Sequence, residues 1–374
     1  MASTHSLWQF IRREPVLSIS FVCALVSAFF VPPSAAYVDY IDLRVLCLLF
    51  CLMAVVAGLQ ECGLFLVLAQ RLLAGERPVR LISLTLILLP FFCSMLVTND
   101  VALITFVPFA ILVLEMVGRR DLLIPIISLQ TVAANLGSMA TPVGNPQNLF
   151  LYAHFSLSMG DFLSLLLPLT LISLVGLAAA GLYFGGKGWI SVSFPEQVRL
   201  TSPKHLALYL VLFGLCLLSV CRVLPYGILT VLVIVSLLLA RRQLLGQVDY
   251  MLLLTFVCFF IFSGNLGQMP AVRAGLGSLL SRSPLLCSAA ASQVISNVPA
   301  AVLLSGLTED WKGLLAGVDV GGLGTPVASL ASLISMKFYL RSREAKPLPY
   351  FLWFTAANVV GLLVLLPVAA RLVH

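Results

Sequence analysis

Residues 135–143 read NLGSMATPV and residues 319–327 read DVGGLGTPV, so one polar, helix-breaking motif occurs twice. Each motif follows a shorter polar cluster, which is TND at 98–100 in the first case and SNV at 296–298 in the second. In lipid, irregular polar backbone is tolerated only where protein lines a cavity. Paired interruptions in the two halves of a membrane chain therefore predict a binding site between them.

The composition is that of a membrane protein. The chain has 374 residues, of which 60% are hydrophobic and 10% are charged, whereas a soluble domain carries about 25% charged residues. Lys and Arg occupy short loops between apolar runs, so the net charge of +7 reflects membrane topology and argues against a nucleic-acid partner. Nine scattered cysteines without a Cys-x-x-Cys pair predict helix packing and no zinc site. We predict an all-α polytopic protein whose surroundings are the lipid bilayer.

The apolar segments divide into full spans and shorter elements. The predicted spans are 16–33, 38–58, 122–158 (broken), 161–185, 206–222, 226–240, 249–265, 313–336 (broken) and 348–369. The amphipathic segments 59–75 and 266–281 are expected to lie along the interface. Segments 81–117 and 283–306 are too long for one span, and each carries a polar tip. Each forms either two crossings or a re-entrant hairpin, and the Asn- and Asp-bearing tips favour hairpins that end near mid-membrane.

Loop charges orient the chain, because cytoplasmic loops are enriched in Lys and Arg. A cytoplasmic N-terminus places Arg12, Arg13 and 14 further cations inside, which is 16 of the 22 Lys and Arg residues. The cations left outside are Arg44, Arg222, Arg273, Arg282, Lys312 and Arg371. We therefore expect a plasma-membrane protein, in a bacterial inner membrane, with an external C-terminus.

The two halves are related as repeats. Residues 41–73 align with 248–280 without gaps. The first helix pairs with 226–240, which argues that it belongs to the fold and is not a cleaved signal peptide. The additional helix 206–222 starts the second repeat on the opposite side, so the repeats are expected to be inverted. The predicted regions are an N-terminal repeat 1–185 with hairpin 81–117 and broken helix 122–158, a connector 186–225 with linking helix 206–222, and a C-terminal repeat 226–374 with hairpin 283–306 and broken helix 313–336.

The interruptions supply the candidate substrate- or ion-binding residues. Helix N-termini attract anions, carboxylates and free carbonyls suit cations, and Asn both donates and accepts hydrogen bonds. Proline kinks alone are common in membrane helices, but two in register after Asn-bearing tips favour a site. The candidates are Thr98, Asn99, Asp100, Thr141, Pro142, Gly144, Asn145, Ser296, Asn297, Asp319, Gly324 and Thr325.

Asp100 and Asp319 are the intramembrane carboxylates. Each costs about 2.5–3.5 kcal/mol at a helix centre, so each indicates a function unless it caps a helix. No Lys or Arg lies within either tip or break, which favours a coupling cation, a proton or a weakly charged solute over a dianion. Asp319 aligns with Asn135, so the half-sites differ chemically. His154 is expected to be a packing residue, and no cofactor, catalytic or ATP-binding motif is found.

These motifs resemble the ion transporter superfamily, which holds arsenite permeases, NhaD-type sodium–proton antiporters and citrate-transporter-like divalent-anion/sodium symporters. The runs that carry the resemblance are 96–103, 141–148, 296–300 and 321–331. The resemblance implies a homodimer with a scaffold, a moving transport domain and an elevator motion, with Asn99 and Asn297 in contact with the solute or ion. The symporters carry Ser-Asn-Thr at both tips, whereas TND at 98–100 is closer to the arsenite-permease and antiporter branches.

We therefore hypothesise a proton- or sodium-coupled secondary transporter of a small inorganic or organic ion, and not an enzyme. Asp100 would carry the coupling charge, and sodium would bind near Asn99, Asp100 and Asn297. A sodium–proton antiporter and an arsenite or metalloid efflux permease are the main alternatives. A channel and a membrane-embedded enzyme are alternatives from other classes.

Overall fold

The computed structural model describes residues 14–194, 196–343 and 345–373. These residues form an almost entirely helical molecule, which confirms the predicted all-α polytopic class. Among them, eight helices are long and apolar enough to cross a membrane. Arg12 and Arg13, which the charge argument assigned to the cytoplasm, lie outside the described residues.

The helices follow the predicted segments closely. In the first repeat they are α1 (Pro15–Phe30), α2 (Ala36–Tyr40), α3 (Leu43–Glu61), α4 (Leu64–Leu73), α5 (Val79–Cys93), α6 (Asn99–Met116), α7 (Leu123–Ser138), α8 (Pro146–His154) and α9 (Met159–Phe184). After the connector helix α10 (Pro203–Val220) come α11 (Tyr226–Arg241), α12 (Tyr250–Gly267), α13 (Pro270–Leu280), α14 (Pro284–Ile295), α15 (Asn297–Ser305), α16 (Trp311–Val320), α17 (Leu330–Leu340) and α18 (Pro347–Val373). Short 3-10 turns cover Arg120–Leu122 and Arg242–Gln247.

Both predicted broken helices are interrupted. Helix α7 is separated from α8 by residues 139–145, and α16 from α17 by residues 321–329. The Pro and Gly residues of the two motifs fall in these gaps, because proline removes a backbone donor and glycine weakens a helix. Each gap leaves carbonyl groups of the first half-helix and N–H groups of the second without helical partners.

The two hairpins differ in length. Helices α14 and α15 have 12 and 9 residues, which corresponds to about 18 and 14 Å. Neither can cross a hydrocarbon core of about 30 Å, so the second hairpin fits the re-entrant form. Helix α6 has 18 residues and is long enough to span by length and composition. The re-entrant form of the first hairpin therefore stays a prediction.

A small antiparallel sheet was not predicted. Strand β1 (Gly75–Pro78) pairs with β2 (Trp189–Val192), and so ties the start of the first hairpin to the segment after α9. Each strand has four residues, and β1 contains both Gly and Pro, which are depleted in strands. The pairing brings together residues more than 100 positions apart, so no local pattern in the sequence indicated it.

Packing between the repeats is reciprocal. Helix α1 packs against α12, and its aligned partner α11 packs against α3. Helix α8 packs against α15, and its aligned partner α17 packs against α6. In both cases an element of one repeat contacts an element of the other, and the aligned partners of the two make a matching contact. A pseudo-twofold axis between the repeats produces this pattern. The contacts therefore relate the two repeats by a pseudo-twofold axis, and the inverted orientation of the repeats in the membrane stays a prediction.

Two local features show why the aligned segments fold alike. Asp42 accepts a hydrogen bond from the Val45 N–H at 3.0 Å, and Asp249 accepts one from the Leu252 N–H at 2.9 Å. Each aspartate therefore caps the second long helix of its repeat, at the pair of positions that the alignment matched.

A stripe of three glycines lets helix α16 approach α14 closely. A Cβ atom at Gly313, Gly317 or Gly321 would lie against the backbone or short side chains of α14. The four-residue spacing places the glycines on one helix face. Membrane helices use such small residues to bring their backbones together.

The contacts between loops agree with the predicted topology. Glu61 and Arg241 follow the predicted spans 38–58 and 226–240, which both end inside when the N-terminus is cytoplasmic, and they form an ion pair with an N–O distance of 2.6 Å. Arg222, which was assigned to the external side, donates a hydrogen bond of 3.0 Å to the carbonyl of Ser156, at the external end of the predicted broken helix 122–158. Residues assigned to the same side therefore meet at the same end of the molecule. Which end faces the cytoplasm stays a prediction.

Candidate functional site

The tip of the first hairpin is joined to the first helix break through Asn99. The Asn99 backbone N–H donates to the Gly144 carbonyl at 3.2 Å. Its side-chain Nδ2 donates to Asn135 Oδ1 at 2.9 Å, and its Oδ1 accepts from the Asp100 N–H at 3.0 Å. Asn99 is 5% exposed. The predicted binding residue thus connects the start of α6 to both sides of the break between α7 and α8.

The second hairpin tip repeats this arrangement. The Asn297 N–H donates to the Ala328 carbonyl at 3.0 Å, and Asn297 Oδ1 accepts from the Val298 N–H at 2.9 Å. Ala328 is the aligned counterpart of Gly144. Ser296 is buried and has a φ of 73°, a left-handed conformation that costs a residue with a side chain about 1–3 kcal/mol.

The two breaks contact each other across the repeats. Asn135 in α7 accepts a hydrogen bond from Ser329 Oγ at 3.1 Å and donates one to Ser332 Oγ at 3.4 Å. In the equivalent place, Asp319 in α16 accepts one from Gln147 Nε2 at 3.2 Å. Asn135 and Asp319, which are aligned, therefore each contact the start of the second half-helix of the opposite repeat.

Together these side chains form a central polar cluster. All its members are at most 5% exposed. The cluster consists of Asn99, Asn135, Asn145, Gln147, Asn148, Asn297, Asp319, Ser329 and Ser332. Helices α6, α8, α15 and α17 all begin at it, so four positive dipole ends face its members.

The Asp319 side of the cluster is incompletely paired. Asn145 and Asn148 face the Asp319 carboxyl group together with Gln147. However, Asp319 Oδ2, Asn145 Oδ1 and both polar atoms of the Asn148 amide have no hydrogen-bond partner among the described residues. Buried polar atoms are normally satisfied. These atoms are therefore available to bind a solute or an ion.

Thr141 and Thr325, which are both predicted site residues, occupy the two breaks, but their hydroxyl groups bond to backbone carbonyls. Thr141 Oγ1 donates to the Met95 carbonyl, and Thr325 Oγ1 donates to the Gln293 carbonyl at 3.0 Å. Thr325 is exposed. Both threonines therefore attach a break to its neighbouring hairpin.

The remaining candidates from the two breaks shape the backbone. Pro142 and Gly144 are buried, and a Cβ atom at Gly144 would collide with the Ser138 carbonyl group. Gly324 has a φ of 111°, which residues with a side chain rarely adopt. Their role is to permit the close approach of the chain at each break.

Thr98 and Asp100 lie at the edge of the cluster. Both are half-buried, and within the described part of the chain no hydrogen bond to the Asp100 carboxylate is found. The structure therefore brings Asp319, and not Asp100, into the centre of the polar cluster. The prediction that Asp100 carries the coupling charge is not tested by this placement.

Sequence reasoning missed five residues of the site. Four of them are members of the central polar cluster: Gln147, Asn148, Ser329 and Ser332. Two of these four could have been found from the repeat. Asn135 and Asp319 are 184 positions apart, and the same spacing applied to Asn145 and Asn148 gives Ser329 and Ser332. Gln293 on α14 donates to the Gly321 and Leu323 carbonyls at 2.7 and 2.8 Å and accepts from the Thr325 N–H at 2.9 Å. It satisfies the backbone of the second break, a role that only the tertiary structure shows.

A polar vestibule lies next to the cluster. It is a cavity of about 480 Å³ whose lining includes Asp39, Asp42, Phe150, His154 and Arg273. Arg273 was assigned to the external side, and Asp39 and Asp42 lie at the start of the predicted span 38–58, which is its external end in the same topology. His154 packs against Phe150 with a ring separation of 5.2 Å, in agreement with its predicted packing role. The vestibule therefore reaches α8, the helix that also carries Gln147 and Asn148.

No group of three His, Cys, Asp or Glu side chains that could hold a metal ion is found in residues 14–194, 196–343 and 345–373. The site chemistry is that of amides, hydroxyls and one central carboxylate. Such groups suit a small oxygen-rich solute or a hard cation such as sodium.

Comparisons with known proteins agree with this architecture. The sequence matches the citrate transporter family over residues 7–315. The inner membrane protein YbiR of Escherichia coli K12 is 32% identical over 356 residues, which cover 91% of this chain and 93% of the relative. An uncharacterised transporter of Methanocaldococcus jannaschii is 33% identical over 264 residues, covering 68% and 70%. A silicon efflux transporter of Oryza sativa subsp. japonica is 35% identical over 129 residues, covering 34% and 26%. This chain is a multi-pass membrane transporter that belongs to the citrate transporter family.

Proposed function

We propose that the protein is a secondary active transporter of a small oxygen-rich anion or weakly charged oxyacid, driven by a sodium or proton gradient. The observation that carries this proposal is the central polar cluster, to which both repeats contribute. The buried atoms of this cluster that lack hydrogen-bond partners cost stability unless a ligand pairs with them. Its position between the repeats is where transporters with broken helices bind their solutes.

The electrostatics of the cluster support an anionic or hydrogen-bonding solute. Helices α6, α8, α15 and α17 direct their N-terminal ends toward it, and such ends bind anions through free backbone N–H groups. The side chains in the cluster include no Lys or Arg. A dianion would also meet the Asp319 carboxylate. Binding of an anion is therefore expected to require a cation or a proton.

The family match and one relative suggest solutes to test. Citrate is prompted by the family, and silicic acid by the silicon efflux transporter. Both are small and rich in oxygen. Both can accept hydrogen bonds from Asn side chains and donate hydrogen bonds to them. Arsenite efflux stays an alternative, because the first hairpin tip reads Thr98-Asn99-Asp100.

The packing of helices supports an elevator motion. Helices α1, α3, α11 and α12 pack among themselves, whereas the hairpins and broken helices pack against α9 and α18. We propose the first group as a scaffold and the second as a transport domain that carries the solute across the membrane. A homodimer held by the scaffold, in a bacterial inner membrane with a cytoplasmic N-terminus, completes the proposal.

Reconstitution tests the function. Purified protein in liposomes is expected to accumulate labelled citrate or silicic acid when an inward sodium or proton gradient is imposed, and to lose accumulation when an ionophore collapses that gradient. Exchange of sodium for protons without any solute would favour the sodium–proton antiporter. If the solute crossed the membrane but an imposed sodium or proton gradient did not accumulate it inside the liposomes, coupled transport would be contradicted and a channel favoured.

A further inference from the structure

The two sides of the central polar cluster are unequal in a way that points to an ion. On one side, Asn135 Oδ1 accepts two hydrogen bonds, from Asn99 at 2.9 Å and Ser329 at 3.1 Å, and its Nδ2 donates to Ser332. On the other side, Asp319 Oδ1 accepts one hydrogen bond, from Gln147 at 3.2 Å, and the Asn145 and Asn148 amides lie beside the carboxyl group while Asp319 Oδ2 has no well-formed bond. The Asn135 side is therefore complete without a ligand, and the Asp319 side is not.

The position of Asp319 makes a positive charge necessary. Asp319 lies in the last turn of α16 and is 3% exposed. The C-terminal end of a helix carries a partial negative charge, which adds to that of the carboxylate. A buried carboxylate without a cation is very costly. Within the described residues, no ion pair to Asp319 is found, so a bound cation or a proton must balance it.

The unpaired atoms around Asp319 favour a metal cation over a proton. Asp319 Oδ2, Asn145 Oδ1 and Asn148 Oδ1 are three buried oxygens without partners, and they come from two different repeats. A proton would occupy one of them and leave at least one amide oxygen unsatisfied. Oxygen ligands from carboxylate and amide groups are preferred by hard cations. A single carboxylate provides one negative charge, which matches a monovalent ion.

We propose that Asp319, Asn145 and Asn148 form one sodium-binding site per chain, with no twin on the Asn135 side. This site rests on the proposed function, because it would be where the driving ion binds. The oxygens come from α16 and from the start of α8, so a bound ion draws the breaks of the two repeats together. Protons compete with sodium for the same carboxylate.

The vestibule lies close to the proposed site along the chain. Phe150 lines the vestibule and follows Asn148 by two residues on α8. The vestibule and the site therefore share this helix, and we propose the vestibule as the entrance for the ion. Asp39 and Asp42 outnumber Arg273 in the vestibule lining, and this excess of negative charge is expected to attract cations.

Equilibrium binding of radioactive sodium to the purified full chain tests the site. We expect one saturable equivalent per chain, with weaker binding at acid pH. Asp319→Asn removes the charge and keeps the shape, and is expected to lower sodium affinity by about tenfold or more. The matched control is Asp310→Asn at the start of the same helix, where Asn caps equally well, and its affinity should be unchanged. A melting curve verifies that each variant is folded.

Three results would overturn the proposal. Wild-type protein without saturable sodium binding is the first, and two equivalents per chain is the second. The third is an Asp319→Asn variant that binds like wild type, above all if Asp100→Asn abolishes binding instead. Proton-driven citrate or silicic acid uptake without sodium binding would remove the site and leave the transport function standing. Sodium binding that needs Asp319, in a protein that transports neither solute nor protons, would support the sodium site and remove the proposed transport function.

Discussion

Replacement of Asn135 by alanine is the most informative perturbation of the central polar cluster. Asn135 is 5% exposed and links α7 to Asn99 in the first hairpin and to Ser329 and Ser332 in the opposite repeat. Alanine removes all of these hydrogen bonds and leaves buried donors unpaired. The variant therefore tests whether the two repeats meet at this residue.

The size of the effect follows from the geometry. Two bonds are well formed, at 2.9 and 3.1 Å, and the third is long, at 3.4 Å. A hydrogen bond contributes about 1 kcal/mol, and an unpaired buried partner adds to the loss, so we expect a destabilisation of about 2–4 kcal/mol. In a chain of this size that lowers the melting temperature by roughly 3–6 °C.

The native cysteines provide the assay. Cys51, Cys93 and Cys216 are free and buried, so a thiol-reactive fluorescent dye labels them only as the protein unfolds. The matched control is Ser128→Ala on the same helix. The Ser128 hydroxyl is buried and makes no hydrogen bond in the described residues, so its removal should leave the melting temperature nearly unchanged.

A double-mutant cycle sharpens this test. Asn135→Ala and Ser329→Ala remove opposite partners of one bond between residues 194 positions apart. Because each variant removes the same contact, the pair should destabilise by about 0.5–1.5 kcal/mol less than the sum of the singles. Strict additivity, or an Asn135→Ala variant as stable as Ser128→Ala, would refute the contact between the repeats.

Three further predictions concern the breaks and the tips. Gly144→Ala should destabilise the protein by about 1–3 kcal/mol, because the new Cβ atom would meet backbone. The control is Ala328→Gly at the aligned position, which should cost about 1 kcal/mol or less. Equal melting curves for wild type and Gly144→Ala would contradict the close approach of the chain at Gly144. Ser296→Gly should not lower the melting temperature, since φ is 73°, whereas Thr98→Gly, at a φ of −64°, should cost about 0.5–1 kcal/mol; the opposite order would be inconsistent with strain at the second tip. A cysteine at Asn297 should react with a membrane-impermeant thiol reagent far more slowly than one in an exposed loop, and equal rates would contradict a buried tip.

The sequence predicted the helix breaks because their signals are local. Pro142 and Pro326, with glycine nearby, interrupt apolar segments that are otherwise long enough to span a membrane. The repeat alignment also matched Asn135 with Asp319, and in the structure each of these side chains contacts the second half of the broken helix in the opposite repeat. Motif and repeat together therefore identified the core of the candidate site.

The partners of these residues depend on tertiary structure. Gln147 reaches Asp319, and Ser329 reaches Asn135, because α8 and α17 pack against the hairpin of the other repeat. Nothing in the local sequence indicates that exchange. Gln293 was missed for a different reason. Its aligned counterpart is Met95, which has no side-chain amide, so the repeat gave no indication that a side chain at this position satisfies a break.

A cross-link between the two repeats tests the central contact most directly. In a cysteine-free background, cysteines replace Asn135 and Ser329, whose side chains lie 3.1 Å apart, and a protease site is placed in the exposed connector between residues 196 and 202. After oxidation and cleavage, the account predicts that the two halves migrate as one species in denaturing gel electrophoresis and separate when reduced. The account would be contradicted if the two halves separated without reductant although both cysteines had been oxidised. In that case the disulfides would join different molecules and not the two repeats of one molecule.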